Sequence, residues 1–252
     1  MRLVHALPPS RASLIPNAIA FRDASHGLIG TGQTAEGTIS LTTDGGRTWK
    51  VALRTPRPVV WVSWFQGVLA ARYDDGENVQ STNGGRTWAP AVVGPPFFSN
   101  CPQGMAQQPS NPPYLNWALC TTEGGAGSMG KSVYWQQPGH AWKRVAYTPF
   151  APIGRGYGGL SVSGYPQGIA MANDGFGMIW ESRGTLYVTR DKGFHWIGLP
   201  KVAQPEVDFG FSAYALRGGV GFVLLAKGGS VNRRLLETKD AGRSWHVVYI
   251  WK

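Results

Sequence analysis

The sequence predicts an all-β fold made of five four-stranded antiparallel units, a five-bladed β-propeller. Three observations lead there. Glycine (35), proline (18) and tryptophan (11) are abundant and charge is low (15%). Long helix-forming runs are absent, and short apolar runs are broken by Gly, Pro, Asn and Asp, which punctuate strands and turns. A polar octamer also returns along the chain: TTDGGRTW begins at 42, STNGGRTW at 81, TRDKGFHW at 189 and TKDAGRSW at 238. A degenerate copy, WQQPGHAW at 135–142, keeps Gly139 and Trp142 but has Gln137 in place of the acid. Aligned on Trp49, Trp88, Trp142, Trp196 and Trp245, the copies are 39, 54, 54 and 49 residues apart. A strand-rich period of about 40–50 residues is the mark of a propeller.

Each period reads as strands A to D, with the octamer in the C–D hairpin. The first blade (15–54) has AIAF, GLIGTG, TISLTT and TWKVAL; the second (58–93) has VVWVSW, VLAARY, NVQST and TWAPAVV. The third (101–147) is looser, with A near 102–109, B near 114–121, C near 132–136 and D near 142–147. The fourth (167–199) has GIAMA, GMIWES, TLYVTR and HWIGL, and the fifth (209–250) has SAYAL, GFVLLA, RRLLETK and SWHVVYI. One domain, 1–252, is expected, and a monomer.

A motif written once per unit fastens the unit. Its Asp accepts backbone N–H bonds within its own turn. Gly46, Gly85, Gly193 and Gly242 permit positive φ, and the Trp packs its indole between blades. Asp44, Asp191 and Asp240, with Asn83 in the same place, are therefore read as structural and not as catalytic acids. The octamer resembles the Asp-box of BNR-repeat propellers, Ser/Thr-x-Asp-x-Gly-x-Thr-Trp, with four good copies and one degenerate copy across the chain. That family includes sialidases, xyloglucanases, sortilin-type receptors and photosystem II assembly-factor-like propellers. The resemblance speaks to fold far more than to function.

Strand directions alternate, so A–B and C–D hairpins share one face, while B–C and D–A connections share the other. Binding is expected on the second face, opposite the octamers. Two long connections fall there, 93–104 and 147–168, both rich in Gly, Pro and aromatics; long loops on a rigid scaffold are where binding usually lives. Arg72, Lys131, Arg155, Arg183 and Lys227 are expected at that mouth, with Trp61, Tyr157 and Tyr165 as stacking surfaces. The reading is a non-catalytic propeller that binds an anionic or polyhydroxylated ligand such as a glycan, or a protein partner. The alternative is a glycoside hydrolase, with Glu36, Asp74, Glu123 and Glu181 as candidate carboxylates. Against it, the Arg-Ile-Pro segment of sialidases is missing: the comparable stretch reads AFRDASHG.

Net charge is +10, which favours polyanions, but no recognised nucleic-acid motif accompanies the scattered basic residues, so nucleic acid is disfavoured. The five histidines (His5, His26, His140, His195, His246) show no metal spacing, the acidic turn 74–78 lacks the full EF-hand pattern, and no cofactor is expected. Nothing in the sequence has the length of a membrane span. The start, MRLVHALPPSRASL, has no apolar signal core; an extracellular or periplasmic chain with its leader absent or removed is expected, a cytoplasmic one being the alternative. Finally, a hairpin centred between Ser110 and Asn111 would set Cys101 opposite Cys120, within reach of a disulfide.

Overall fold

The computed structural model describes residues 15–33, 36–65, 67–91, 106–107, 117–136, 140–149, 156–182, 185–199, 208–227 and 233–251. They form five four-stranded antiparallel sheets, each in sequence order from first to last strand, an arrangement consistent with a five-bladed propeller. Blade one comprises β1 (Pro16–Phe21), β2 (Gly27–Gln33), β3 (Glu36–Thr42) and β4 (Lys50–Thr55). Blade two has β5 (Val59–Phe65), β6 (Val68–Tyr73), β7 (Asn78–Ser81) and β8 (Ala89–Pro90). Blade three has β9 (Ala106–Gln107), β10 (Trp117–Gly125), β11 (Ser128–Trp135) and β12 (Lys143–Thr148). Blade four has β13 (Pro166–Met171), β14 (Gly177–Glu181), β15 (Leu186–Thr189) and β16 (Ile197–Gly198). Blade five has β17 (Asp208–Ala215), β18 (Gly221–Lys227), β19 (Arg233–Thr238) and β20 (His246–Trp251).

The first strands of neighbouring blades lie side by side: β1 contacts β5 and β17, and β17 contacts β13. Blades therefore stack face on face. Inner strands are buried on both sides, which is why β14 reads GMIWE with every residue buried and shows no polar alternation. The core is continuous across blade boundaries. Phe21 of β1 stacks on Phe222 of β18, centroids 3.6 Å apart. Ile169, Met171 and Ile179 of blade four pack with Trp117, Leu119 and Val133 of blade three. Each such side chain contributes about 1.5–3 kcal/mol on burial.

The octamers sit between the third and fourth strands of blades one, two, four and five, and their chemistry repeats. In the first, Gly46 N donates to Thr42 Oγ1 (2.9 Å), Thr42 Oγ1 to Asp44 Oδ1 (2.8 Å) and Thr48 N to Asp44 Oδ1 (2.8 Å). Thr189, Asp191 and Gly193 repeat the first two bonds, as do Thr238, Asp240 and Gly242. Asn83 keeps the scheme in blade two: its Oδ1 accepts from Thr87 N, and its amide donates to Thr87 Oγ1. Gly46, Gly85, Gly193 and Gly242 all have φ between 78° and 87°.

Two departures from the expected strands stand out. The outer strands β8 and β16 are two residues each; Pro90 has no N–H to extend its ladder. In blade three the stretch read as a B–C loop, 121–131, is mostly strand, turning only at Ala126–Gly127, where φ is positive at both residues.

Candidate ligand-binding face

One irregularity recurs at the same place in four blades. The first strand carries a bulge near its start, leaving one residue without a cross-strand partner: Asn17 in β1, Val60 in β5, Gln167 in β13 and Phe211 in β17. Proline stands one residue before it at Pro16 and Pro166 and two residues before it at Pro58. First strands begin on the face opposite the octamers, so the four bulges mark that face. A bulge bends its strand and re-aims a side chain. Val60 is accordingly 45% exposed although its neighbour Val59 is fully buried, and Gln167 is exposed. Asn17 turns its amide back onto the backbone, Nδ2 donating to Gly32 O and Val59 O.

Beside the Val60 bulge stands the best-formed polar–aromatic group on this face. Trp61 pairs across the strands with Arg72, whose guanidinium lies 5.9 Å from the indole centroid. Arg72 Nε donates to Asn78 Oδ1 at 3.1 Å, which fixes the fork. Asp75 is engaged by Arg57, Nε to Oδ2 2.8 Å, and Asp75 Oδ1 accepts from Glu77 N. The 74–78 turn is thus held by its own hydrogen bonds and an arginine. Glu36 and Asp74 are exposed on hairpins of blades one and two.

Other expected mouth residues lie elsewhere. Lys131 and Glu181 are corrections: both are fully buried and form an ion pair, Nζ to Oε1 2.9 Å. Lys131 sits in β11, not in a loop, because the hairpin turns five residues earlier. Tyr157 is 44% exposed and lies beside β12 of blade three. The segment 156–165 does not stand free at the mouth but runs as a strap along the junction of blades three and four. Tyr157 pairs in both directions with Tyr147 of the outer strand β12, and Trp196 N donates to Gly158 O at 2.7 Å. Further along, Met129 N donates to Val162 O, Gly164 N to Gly127 O, and Ser182 N to Tyr165 O. Tyr165 takes the Gly127 N–H on its hydroxyl, so it anchors the strap. The Tyr157 ring meets Arg144, whose Nε donates to Tyr157 Oη at 3.0 Å while its guanidinium lies 4.1 Å from the Tyr147 centroid. The sequence reading missed this group; the signal was Lys143-Arg144 followed by two tyrosines in a strand and its connection.

Arg155, Arg183 and Cys101 lie outside the described residues, as does the connection 93–104; Glu123 and Lys227 are placed only as strand positions, in β10 and β18. Cys120 is disulfide-bonded and buried. The hairpin argument is nevertheless corrected: the residue opposite Cys120 is Ala106, not Cys101. The connection between β9 and β10 is centred later in the sequence than Ser110–Asn111, which moves the register.

The buried pair has a marked electrostatic character. Lys131 Nζ donates to the strap carbonyls of Ser161 (2.6 Å) and Ser163 (2.8 Å), in addition to its ion contact with Glu181 Oε1. Glu181 Oε2 has no hydrogen-bond partner among the described residues. Burial pushes the Glu181 carboxyl up to about 7 against the pull of Lys131, and burial lowers Lys131 despite Glu181. Burial, reinforced by the Glu181 charge, pushes the Tyr187 hydroxyl up to about 12.

No protein-family model and no curated protein matches the chain. Among solved structures, it is similar to YCF48 bound to D1 peptide, at 16% identity over 94% of this chain and 82% of that one, with a TM-score of 0.41. It is similar to YCF48 from Cyanidioschyzon merolae at 14% identity over 94% and 98%, with a TM-score of 0.47. The GH74 xyloglucanase from Xanthomonas campestris gives 14% identity over 93% of this chain but 38% of that one, with a TM-score of 0.33. Likeness at this level does not extend to what those proteins bind or cleave.

Proposed function

We propose that the chain is a non-catalytic binding propeller of the Asp-box kind, folding as one unit over 1–252 and acting as a monomer. Its ligand is anionic or polyhydroxylated, a glycan being the leading class, and it seats on the face opposite the octamers. The observation that carries this reading is the bulge that recurs in four first strands, with the Trp61–Arg72 pair beside the exposed Val60. An indole offers a flat surface to a sugar ring, and an arginine offers a fork for carboxylate or sulfate oxygens. Arg155, Arg183 and Lys227 extend the basic surface in this proposal. The net charge of +10 favours the approach of an anion.

The test is a glycan array followed by titration of the best binder. Trp61→Ala and Arg72→Ala should each weaken binding tenfold or more, and rising salt should weaken the parent. If both variants bind like the parent while Arg47→Ala on the octamer face abolishes binding, the face is wrong. If the protein turns over a chromogenic glycoside and Glu36→Gln or Asp74→Asn stops it, the protein is an enzyme.

A further inference from the structure

The strap, the buried Lys131–Glu181 pair and the junction of two blades form one assembly. Lys131 comes from β11 of blade three and Glu181 from the end of β14 in blade four. The Lys131 ammonium reaches both the strap and Glu181, so it joins three pieces of backbone. Gly164 of the strap lies against the Glu181 carboxyl with no room for a Cβ. The distribution of partners is lopsided. Around Lys131 there are acceptors enough for an ammonium in the seated state, two of them neutral strap carbonyls. Around Glu181 donors are short: Lys131 meets Oε1, and Oε2 has no donor among the described residues. A buried carboxylate with one oxygen unmet is costly, whereas a carboxylic acid needs one donor fewer.

We propose that the strap is a proton-coupled latch: seated, it covers Glu181 as the neutral acid, and when it lifts, Glu181 gives a proton to water and becomes a hydrated carboxylate. Among the described residues, the titratable groups facing Glu181 are Lys131 from β11 and Tyr187 from β15. Tyr187, pushed up to about 12, stays neutral throughout. For Glu181 the seated value, about 7, exceeds the ordinary 4.5. The seated state therefore holds more protons between those values, and the strap loosens as pH rises through them. Lys131 has the opposite sign, its seated value being lowered from 10.5, so seating by that group strengthens toward alkaline pH. A window from about pH 5.0 to 7.5 covers the Glu181 interval, and Glu181→Gln separates its contribution from that of every other titrating group.

The experiment is amide hydrogen exchange on the whole chain across that window, corrected for intrinsic rates. The reporters are the strap-linked amides of Met129, Gly164, Ser182 and Trp196, with the octamer amide of Gly46 as reference. The expected result is a loss of strap protection of about tenfold or more from pH 5.0 to 7.5 with Gly46 steady, and a flat profile in Glu181→Gln. Strap protection that does not change with pH, or a Gln variant that keeps the parent's slope, overturns the proposal. If Glu181→Gln does not fold, the carboxyl 13C titration of Glu181 in the parent decides. A midpoint near neutrality that tracks strap protection supports the latch, and a midpoint near 4.5 overturns it.

Discussion

Gly46 of the first blade lies directly against Leu235 of the fifth: a Cβ on Gly46 would stand 2.6 Å from Leu235 Cδ2. The same contact recurs from blade to blade. Gly85 meets Leu41, Gly193 meets Val133, and Gly242 meets Val188. In each case the octamer glycine of one blade seats on the third strand of the blade before it. Gly46 and Leu235 extend that relation from the last blade to the first, closing the circle. Gly46→Ala should therefore lose stability twice over, from a positive φ of 87° and from collision with Leu235. Gly84 also has positive φ, but a Cβ there would meet nothing within 4 Å. Urea denaturation should give a loss of about 1–2 kcal/mol for Gly84→Ala and about 2–4 kcal/mol for Gly46→Ala. Equal losses would mean that the closure contact contributes nothing.

The octamer acids are turn acceptors, and their replacement should separate stability from binding. Asp44→Ala should cost about 1–2 kcal/mol in lost turn bonds, and ligand affinity should be unchanged wherever the protein stays folded. Asp44→Asn should cost less, because Asn83 already keeps the scheme with its amide donating to Thr87 Oγ1. Burial acts to raise Asp44, but the bonds from Thr48 and Thr42 outweigh it and hold the carboxyl below the ordinary 3.8. The net effect at Asp191 is also downward, its bonds from His195 and Thr189 outweighing burial. A depressed folded value means stability that is present above the ordinary value and lost as pH falls through the folded one. Melting temperature should accordingly decline below about pH 4, and less steeply in Asp44→Asn.

The Lys131–Glu181 pair should show strong non-additivity. Lys131→Met removes the donor to the strap carbonyls of Ser161 and Ser163 and the partner of Glu181, and should lose about 2–4 kcal/mol at neutral pH. Glu181→Gln should lose less, since it keeps an oxygen for the ammonium, which also holds the Ser161 and Ser163 carbonyls. The double variant should recover much of the Lys131→Met loss, read from denaturation midpoints in a double-mutant cycle. Strict additivity would show that the two groups do not sense one another.

The chain has two cysteines, and Cys120 is disulfide-bonded, so the partner expected is Cys101. Thiol titration of the denatured, unreduced protein should find no reactive thiol. Reduction should lower stability by about 3 kcal/mol for a loop of this size. Two reactive thiols would reject the bond.

What the sequence determined by itself was everything that repeats. The octamer requires its hydroxyl, acid and glycine within a few residues of one another, so the turn is local chemistry and is visible in text. Five copies imply five sheets, and the runs AIAF, GIAMA and GFVLLA mark strands buried on both faces. What only the tertiary structure decided was what depends on a neighbouring blade. Lys131 and Glu181 are fifty residues apart, and each looks like a loop charge until the stacking of blades three and four removes water from both. A fully buried GMIWE run was the one hint, since a glutamate ending such a strand needs a partner. The bulges at Asn17, Val60, Gln167 and Phe211 were hidden for a similar reason: an extra residue is defined only against the strand beside it. The strap reads in sequence as part of a long binding connection because its glycines are those of a connection. Its hydrogen-bond partners, Tyr147, Gly127 and Trp196, lie on two different blades, and no sequence pattern records which backbone a loop will find when two sheets pack together.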